Sequence, residues 1–480
     1  MDSAEVINNE DGIETVENDD DIDFSEEREL VSDSCSTKIL DSESEPLDRY
    51  RLVYFLFYLF GITSLVPWNF LITANDYWMY KFRDVEPNNL TMYVRKTQFQ
   101  AEFTSYLNVA TAIPNLVFLI LNSLYGHLVS VRSRLLGSLI VVTLSFIVTT
   151  SLVLVDTDEW QNTFFIVTMI TVVIMTAQKI SSKSVKPFRR SMATKTVTRE
   201  FDILTIPAIF ISGLMGTASK FSREYMAAVI SGQSLGGIIA AVAQIISLAF
   251  KISPLHSALI YFCIADFMVI TSLISYAFLY KIDFFSHHVL RGNGMVVNRS
   301  REAYLTIVLK KVWVYAFSIF AVYAISMCVY PAVTVLVESH PATSGTDWNN
   351  IFFVPVVNYL IFNCGDYAGR LVAGFILGPS NQWVIAAASI FRVIGVPMLM
   401  FCNAQPRKHL PVIFLWDYEY IMIMIVFSFT NGYLTNIVMV NATRVVDMHE
   451  REKASSIIVT MLSVGLTAGA AIGMLLVRVL

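Results

Sequence analysis

The sequence predicts an all-α, polytopic membrane protein, and two features of its composition carry that prediction. Of 480 residues, 55% are hydrophobic and 15% are charged, and the mean hydropathy is +0.57. Soluble proteins carry about 25% charged residues. A soluble fold of this size could not bury so much apolar surface, which excludes a soluble enzyme, a secreted disulfide scaffold and a nucleic-acid-binding domain.

The first 48 residues differ sharply from the rest. Met1–Asp48 contains 18 acidic residues and two basic ones, a net charge of −16, so residues 49–480 carry +11 of the chain's total of −5. Such an acidic segment, almost without aromatic residues, cannot bury enough surface to offset the entropy of ordering. We therefore predict a disordered acidic cytoplasmic tail over residues 1–48.

Long apolar stretches follow the tail, and the length of each is compared with the roughly 20 residues that a helix needs to cross a bilayer. The stretches lie at residues 50–73, 104–125, 134–155, 162–178, 208–220, 225–250, 256–280, 309–336, 349–376, 383–402, 411–438 and 453–478. Because 162–178 and 208–220 are too short to cross alone, we interpret them as halves of the fourth helix. The prediction is eleven transmembrane helices: helices 1–6 over 49–280, a cytoplasmic loop over 281–311, and helices 7–11 over 309–480.

The segment Lys179–Pro207 splits the fourth helix. Its 29 residues include seven Lys or Arg side chains, and each charge in hydrocarbon costs about 2.5–3.5 kcal/mol, so the segment must loop into water. It is either a regulatory loop or sequence foreign to the working protein, such as a retained intron. The second interpretation is favoured because removing the insertion restores one continuous helix.

Basic residues predict the orientation. Short loops at 126–133, 281–311 and 439–452 carry Lys or Arg and fall on one side, which the positive-inside rule makes cytoplasmic, together with the N-terminus. The opposite side holds the acidic Asp156–Glu159 loop and the Asn89-Leu90-Thr91 sequon. Asn89 is therefore a predicted glycosylation site.

One apolar helix contains a polar stripe. Asp366 and Arg370 are one helical turn apart, and Tyr359 and Asn363 extend the same face. The stripe is either a structural ion pair that locks two helices or the lining of a solute path. There is no Walker A motif, HExxH motif or nucleophile–base pair, and the five cysteines lack metal-ligand spacing. We expect no enzymatic activity, cofactor or metal.

Six segments, in order, resemble the equilibrative nucleoside transporters (solute carrier family 29). They are Leu65–Ala74, Arg134–Leu139, Ser231–Gln233, Tyr330–Val335, Asn363–Arg370 and Thr430–Leu434. The resemblance implies a major-facilitator-like arrangement of six plus five helices. It also implies passive passage of purine and pyrimidine nucleosides by alternating access across a lipid bilayer, with no nucleic-acid partner. The plasma membrane is favoured, with a lysosomal or endosomal membrane as the alternative.

The resemblance also implies roles for individual residues. It places Trp68 at the substrate site and implies that Asp366 and Arg370 bind the ribose hydroxyls. The polar stripe adds Tyr359 and Asn363 to the predicted substrate-binding residues. Arg134, Gly232 and Gly237 are implied to affect transport or inhibitor sensitivity. The full set of predicted transport-path or packing residues is Asn69, Asn115, Arg134, Gly232, Gln233, Gly237, Pro331, Asn431 and Leu466.

Three positions depart from the family pattern. Ile211 stands where members often have glutamine, Asn115 where leucine is usual, and Asp266 where the residue is neutral. Asp266 leaves open an organic-cation or monoamine carrier of the same fold. A splice form without transport, acting as a membrane receptor or scaffold, is a further alternative because of the split helix.

Overall fold

The computed structural model describes residues 46–83, 107, 110–111, 114–117, 131–176, 208–291, 301–340, 346–376, 378–379, 381–405 and 409–480. Within these ranges the regular structure is helical, apart from two isolated β-bridges, Val337 with Ala404 and Cys402 with Phe414. The prediction of an all-α protein is confirmed. Most of the acidic tail, the Asn89 sequon and the Lys179–Pro207 insertion lie outside the described residues.

The first group of helices precedes residue 292. They are α1 (Leu52–Thr73), α2 (Asn75–Lys81), α3 (Val131–Val153), α4 (Gln161–Thr176), α5 (Ala208–Ala218), α6 (Arg223–Ala249), α7 (Pro254–Leu279) and α8 (Asp283–Arg291). The second group is α9 (Arg301–Val329), α10 (Phe362–Phe375), α11 (Gln382–Phe391), α12 (Gly395–Met400), α13 (Asp417–Arg444) and α14 (Arg451–Val479). Two π-helical segments, Trp348–Phe352 and Val354–Ile361, lead into α10.

Eight helical spans among the described residues are long and apolar enough to cross a membrane. They correspond to the predicted first, third, fifth, sixth, seventh, ninth, tenth and eleventh helices, with bounds that differ by up to six residues: the tenth spans Asp417–Arg444 rather than 411–438. The predicted eighth helix, 349–376, is present but is part π-helix and part α-helix. Of the predicted second helix, 104–125, only residues 107, 110–111 and 114–117 are described, and they are helical.

The predicted loop 281–311 is partly helical, which corrects its boundaries. It contains α8, which buries Phe284 and Phe285 against the core, and α9 begins at Arg301 rather than at residue 309. Polar residues from Arg301 onward extend α9 beyond its apolar part, whereas α8 is a separate short helix that follows α7 after three residues.

Helices α4 and α5 pack against opposite ends of α3. The C-terminal part of α3 shares a hydrophobic cluster with α4, through Phe146 and Phe164, and its N-terminal part shares another with α5, through Leu135 and Leu214. The two helices have 16 and 11 residues, and 27 residues make one helix about 40 Å long. This packing is what two halves of one membrane-spanning helix would show.

The most extensive helix contacts join α1 with α6, α9 with α14, and α10 with α13. Glycines permit these close crossings, since a Cβ at Gly61 would lie 2.3 Å from the carbonyl oxygen of Val229, and one at Gly469 would lie 2.5 Å from that of Ala324. Small residues let membrane helices approach until their backbones touch. The α10–α13 crossing carries the polar stripe.

Candidate functional site

A buried ion pair forms the centre of the candidate site. The Nε of Arg370 donates to Oδ2 of Asp366 at 2.9 Å, and both residues are only 4% exposed. The predicted spacing of one helical turn is thus confirmed as a direct contact. A buried pair of this kind is costly unless its remaining hydrogen-bonding positions are also satisfied.

Two neighbouring helices supply hydrogen bonds to the carboxylate of Asp366. The hydroxyl of Ser234 on α6 donates to Oδ2 at 2.5 Å, and Nδ2 of Asn431 on α13 donates to Oδ1 at 2.7 Å. A carboxylate offers about four acceptor positions. Three of them are therefore filled by Arg370, Ser234 and Asn431.

The guanidinium of Arg370 reaches across to other helices. Its Nη1 donates to the carbonyl oxygen of Ile230 at 2.7 Å and to Oε1 of Gln233 at 3.3 Å, and its Nη2 donates to the hydroxyl of Tyr323 on α9 at 3.4 Å. The backbone carbonyl of Arg370 accepts from Nδ2 of Asn436 at 2.6 Å. The pair therefore connects α6, α9, α10 and α13.

The local sequence makes this connection possible by placing glycines where α10 and α13 cross. A Cβ on Gly432 would lie 1.8 Å from the carbonyl oxygen of Asp366, and one on Gly369 would lie 2.1 Å from that of Phe429. No side chain larger than hydrogen fits at either position without moving a helix. The short distance between the helices lets Asn431 reach the carboxylate.

A second buried cation is linked to the same carboxylate through two side chains. Arg392 is 6% exposed and its Nη2 donates to the hydroxyl of Ser326 at 2.9 Å, which in turn donates to Oδ1 of Asn431 at 2.7 Å. Its other contacts are the carbonyl oxygens of Val322 and Phe427 and the hydroxyl of Thr430. Across the described ranges, no ion pair includes Arg392.

The rest of the predicted stripe continues toward the π-helical segment. Nδ2 of Asn363 donates to the carbonyl oxygen of Tyr359 at 2.9 Å, and both residues are half-buried. The amide oxygen of Asn363 lies against Gly237, where a Cβ would come within 2.1 Å of it. The structure thus joins three predicted positions, Tyr359, Asn363 and Gly237, at the α6–α10 contact.

Trp68 is connected to the ion pair through α1. Nε2 of Gln233 donates to the hydroxyl of Ser64 at 3.4 Å, and Trp68 follows Ser64 by four residues on the same helix. Trp68 and Asn69 are both half-buried. The indole therefore lies about one helical turn along α1 from the residue that contacts Gln233.

Other predicted path residues lie on further helices. Nδ2 of Asn115 donates to the hydroxyl of Ser463 on α14 at 3.0 Å, and Leu466 follows Ser463 by three residues. Asn115, which departs from the family pattern, thus makes an interhelical hydrogen bond. Pro331 lies beyond the end of α9 and is exposed. Arg134 lies in the first turn of α3, and its side chain lies outside the described part of the chain.

Asp266 lies apart from this network. It is on α7, and its Oδ2 accepts from the hydroxyl of Thr150 on α3 at 2.6 Å. Neither α3 nor α7 contributes a side chain to the contacts of Asp366 or Arg370.

Sequence reasoning missed four contributors to the site: Ser234, Tyr323, Ser326 and Asn436. Tyr323 and Ser326 are three residues apart on α9, so their spacing could have predicted a polar face. Hydroxyl groups are common in apolar helices, however, and the signal is weak. Ser234 adjoins the predicted Gln233. Asn436 is one turn beyond Gly432.

Comparisons with known proteins point to one family. The nucleoside transporter family model matches residues 203–307 and 294–478, more than half of the chain. Equilibrative nucleoside transporter 3 of Rattus norvegicus is 30% identical, with 90% of each chain covered, and equilibrative nucleoside transporter 1 of the same species is 29% identical over 91% of this chain and 99% of the relative.

Among solved structures, the human organic anion transporter MFSD10 superposes with a TM-score of 0.54, covering 90% of this chain and 95% of that one at 12% identity. That likeness concerns the fold alone. The family match and the relatives carry the assignment: the chain belongs to the equilibrative nucleoside transporter family.

Proposed function

We propose that this protein carries nucleosides across a membrane, down their concentration gradient, by alternating access. The observation that carries the proposal is the buried Asp366–Arg370 pair, which α10 presents to side chains from α6, α9 and α13. A charge pair at the meeting point of four apolar helices is costly, and in membrane proteins such groups commonly mark a substrate path.

The chemistry of the pair suits a ribose. A vicinal diol offers two hydroxyl donors, and charge-assisted hydrogen bonds to a carboxylate are roughly twice as strong as neutral ones. One acceptor position of Asp366 has no partner among the described residues, and a second is filled by the neutral hydroxyl of Ser234, which a substrate hydroxyl can replace. Arg370 holds the carboxylate in place through the bond from its Nε.

Trp68 is proposed as the wall for the nucleobase. Trp68 is one turn along α1 from Ser64, and Gln233 hydrogen-bonds both Ser64 and Arg370, which supports a substrate site shared by the two regions. A flat aromatic surface favours an offset-stacked base. Tyr359 and Asn363 would complete the lining from α10 and the segment before it.

The organic-cation alternative would need a carboxylate free to face the substrate. Asp366 is paired with Arg370. Asp266 has no cationic partner among the described residues, and its buried Oδ1 accepts no hydrogen bond there, but the side chains that meet at Asp366 come from α6, α9 and α13 rather than from α3 or α7. The site with the most converging polar groups is therefore the one that suits a ribose, and nucleoside transport is favoured.

The finer arrangement belongs to the same proposal. We propose eleven transmembrane helices in a six-plus-five arrangement, a cytoplasmic N-terminus, glycosylation at Asn89 and a plasma-membrane location. The insertion 179–207 is proposed to be foreign to the working transporter. The packing of α4 and α5 along α3 supports one fourth helix in two parts.

Asp366→Asn tests the proposed ribose contact. The substitution keeps the shape but removes the charge, so we expect retained surface expression and a loss of adenosine and uridine uptake. Uptake of 2′,3′-dideoxynucleosides should fall much less, because they lack the diol. Asp266→Asn is the matched control, since it makes the same chemical change outside the network and should leave uptake intact.

The measurement is radiolabelled uptake into vesicles, with surface protein quantified and with and without a pH gradient. Equal losses for ribosides and dideoxynucleosides would assign Asp366 to a structural ion pair instead. Uptake that accumulates against the gradient when a pH gradient is imposed would contradict the equilibrative mechanism.

A further inference from the structure

A polar cavity separate from the site around Asp366 lies between helix ends that are predicted to be cytoplasmic. Its volume is about 170 Å³, and its lining includes Arg223 at the start of α6, Arg444 at the end of α13 and Arg451 at the start of α14. Ser219, Ser222 and Thr443 add hydroxyl groups to the lining. None of these residues takes part in the site around Asp366.

The three arginines have hydrogen-bonding capacity to spare. Arg223 donates through Nη2 to the carbonyl oxygens of Ala373 and Ile376, and Arg451 donates through Nη1 to that of Ser219 at 3.3 Å. The Nε atoms of Arg223 and Arg451 are buried and have no hydrogen-bond partner among the described residues. Arg444 is exposed and makes no hydrogen bond or ion pair within the same ranges.

No acidic side chain neutralises this charge within the described part of the chain. The carboxylates nearest in sequence are paired with other cations: Glu224 with Arg51 at 2.9 Å, Asp447 and Glu450 with Lys311 at 3.2 and 2.6 Å, and Glu452 with Lys220 at 3.6 Å. Three positive charges therefore share one small cavity. Such a cluster is stable only with solvent or an anion between its members.

The start of α6 adds to the attraction for anions. Ser222 is the N-cap residue of this 27-residue helix, and its side chain makes no capping hydrogen bond. The first amides of a helix carry a partial positive charge and lack intrahelical partners. Ser222 lines the cavity, so this end of the helix opens toward the arginines.

We infer that this cavity binds a phosphate-class anion, supplied either by a soluble phosphate or by the phosphorylated headgroup of an acidic membrane lipid. Arginine matches phosphate oxygens in geometry as well as charge. The anion would connect α6 with α13 and α14, which belong to opposite halves of the proposed six-plus-five arrangement. Binding would hold the cytoplasmic ends of the two halves together. This inference does not depend on which solute is carried.

The test is the thermal unfolding of the purified full-length protein in detergent, followed by tryptophan fluorescence. Inorganic phosphate is titrated against chloride at equal ionic strength, and a short-chain phosphatidylinositol 4,5-bisphosphate is titrated against short-chain phosphatidylcholine. We expect a saturable rise in the unfolding midpoint with at least one phosphorylated probe. Saturation with inorganic phosphate assigns a soluble anion, and saturation only with the phosphoinositide assigns a lipid headgroup.

Arg444→Gln is the decisive variant, because Arg444 is exposed and its replacement breaks no described contact. It should weaken the apparent affinity about tenfold or more, as expected for one hydrogen bond to a charged group. Arg478→Gln is the matched control: an exposed arginine at the other end of α14, whose loss should leave the affinity unchanged. Equal affinities in Arg444→Gln and the unchanged protein, or no saturable shift with either probe, would overturn the inference.

Discussion

Alanine substitutions at Gly232 and Gly237, five residues apart on α6, should have different consequences. A Cβ at position 232 would lie 2.3 Å from the carbonyl oxygen of Tyr58, whereas one at position 237 would lie 2.1 Å from the amide oxygen of Asn363. The first obstacle is backbone, so α1 and α6 must separate by about 1 Å, and such overpacking costs about 1–3 kcal/mol. The second is the end of a side chain, which can rotate away.

The intrinsic preference of a helix for alanine over glycine offsets at most about 1 kcal/mol of these costs. We therefore expect Gly232→Ala to lower the folded amount and the melting midpoint. Gly237→Ala should fold well, but Asn363 must leave its hydrogen bond to Tyr359, so the KM for uridine should rise. Gly137→Ala is the control, since its Cβ would meet nothing within 4 Å.

The assay combines fluorescence-detected size exclusion of a fluorescent-protein fusion, with a heating series, and uridine uptake at several concentrations. If Gly137→Ala is as harmful as Gly232→Ala, glycine flexibility rather than helix contact is the reason. If Gly237→Ala loses expression as severely as Gly232→Ala, Asn363 is not free to move and the proposed separation of packing from binding is wrong.

Two further predictions concern the base wall and the insertion. Trp68→Ala should raise the KM for uridine more than Trp68→Phe does, because a flat surface matters more than the indole N–H. Equal increases in the KM for the two variants would instead indicate a hydrogen bond from that N–H. Deleting residues 179–207 joins Gln178 to Ala208 and restores the backbone hydrogen bonds of the fourth helix, so the shortened protein should express better and transport uridine faster. Transcript sequencing should find the form without the insertion as the major product, and a full-length form that dominates and transports equally well would make the insertion a genuine loop.

The sequence was sufficient to predict the apolar helices and the central pair of the site. A charge in hydrocarbon stands out against its surroundings, and the spacing of Asp366 and Arg370 already placed them on one face. The same reasoning was weaker at polar helix ends. There, Arg301 and its basic neighbours suggested a loop, although Arg301 begins α9 and the same predicted loop contains the separate helix α8.

The partners from other helices could not be predicted, because a hydroxyl in a membrane helix is usually satisfied by its own backbone. Ser326 shows the ambiguity, since its single hydroxyl hydrogen is within reach of two acceptors, the carbonyl oxygen of Val322 at 2.8 Å and Oδ1 of Asn431 at 2.7 Å. Only the three-dimensional arrangement distinguishes the two uses. The same holds for Ser234, which nothing in its sequence neighbourhood connects with Asp366.

The contacts of the ion pair fall into two groups that should behave differently during transport. Asn431 and Asn436 come from α13, which packs closely on α10 through Gly432, so these bonds hold the pair to its neighbouring helix. Ser234, Ile230 and Gln233 come from α6, which the proposed six-plus-five arrangement assigns to the other half, so an alternating-access movement of those halves would change their distances to the pair. We therefore expect the substrate diol to replace the bond from Ser234 while the bonds from α13 persist. The bonds from α13 keep the pair oriented, whereas three contacts with α6 change in that movement: the bond from Ser234 to Asp366 and the bonds from Arg370 to Ile230 and Gln233.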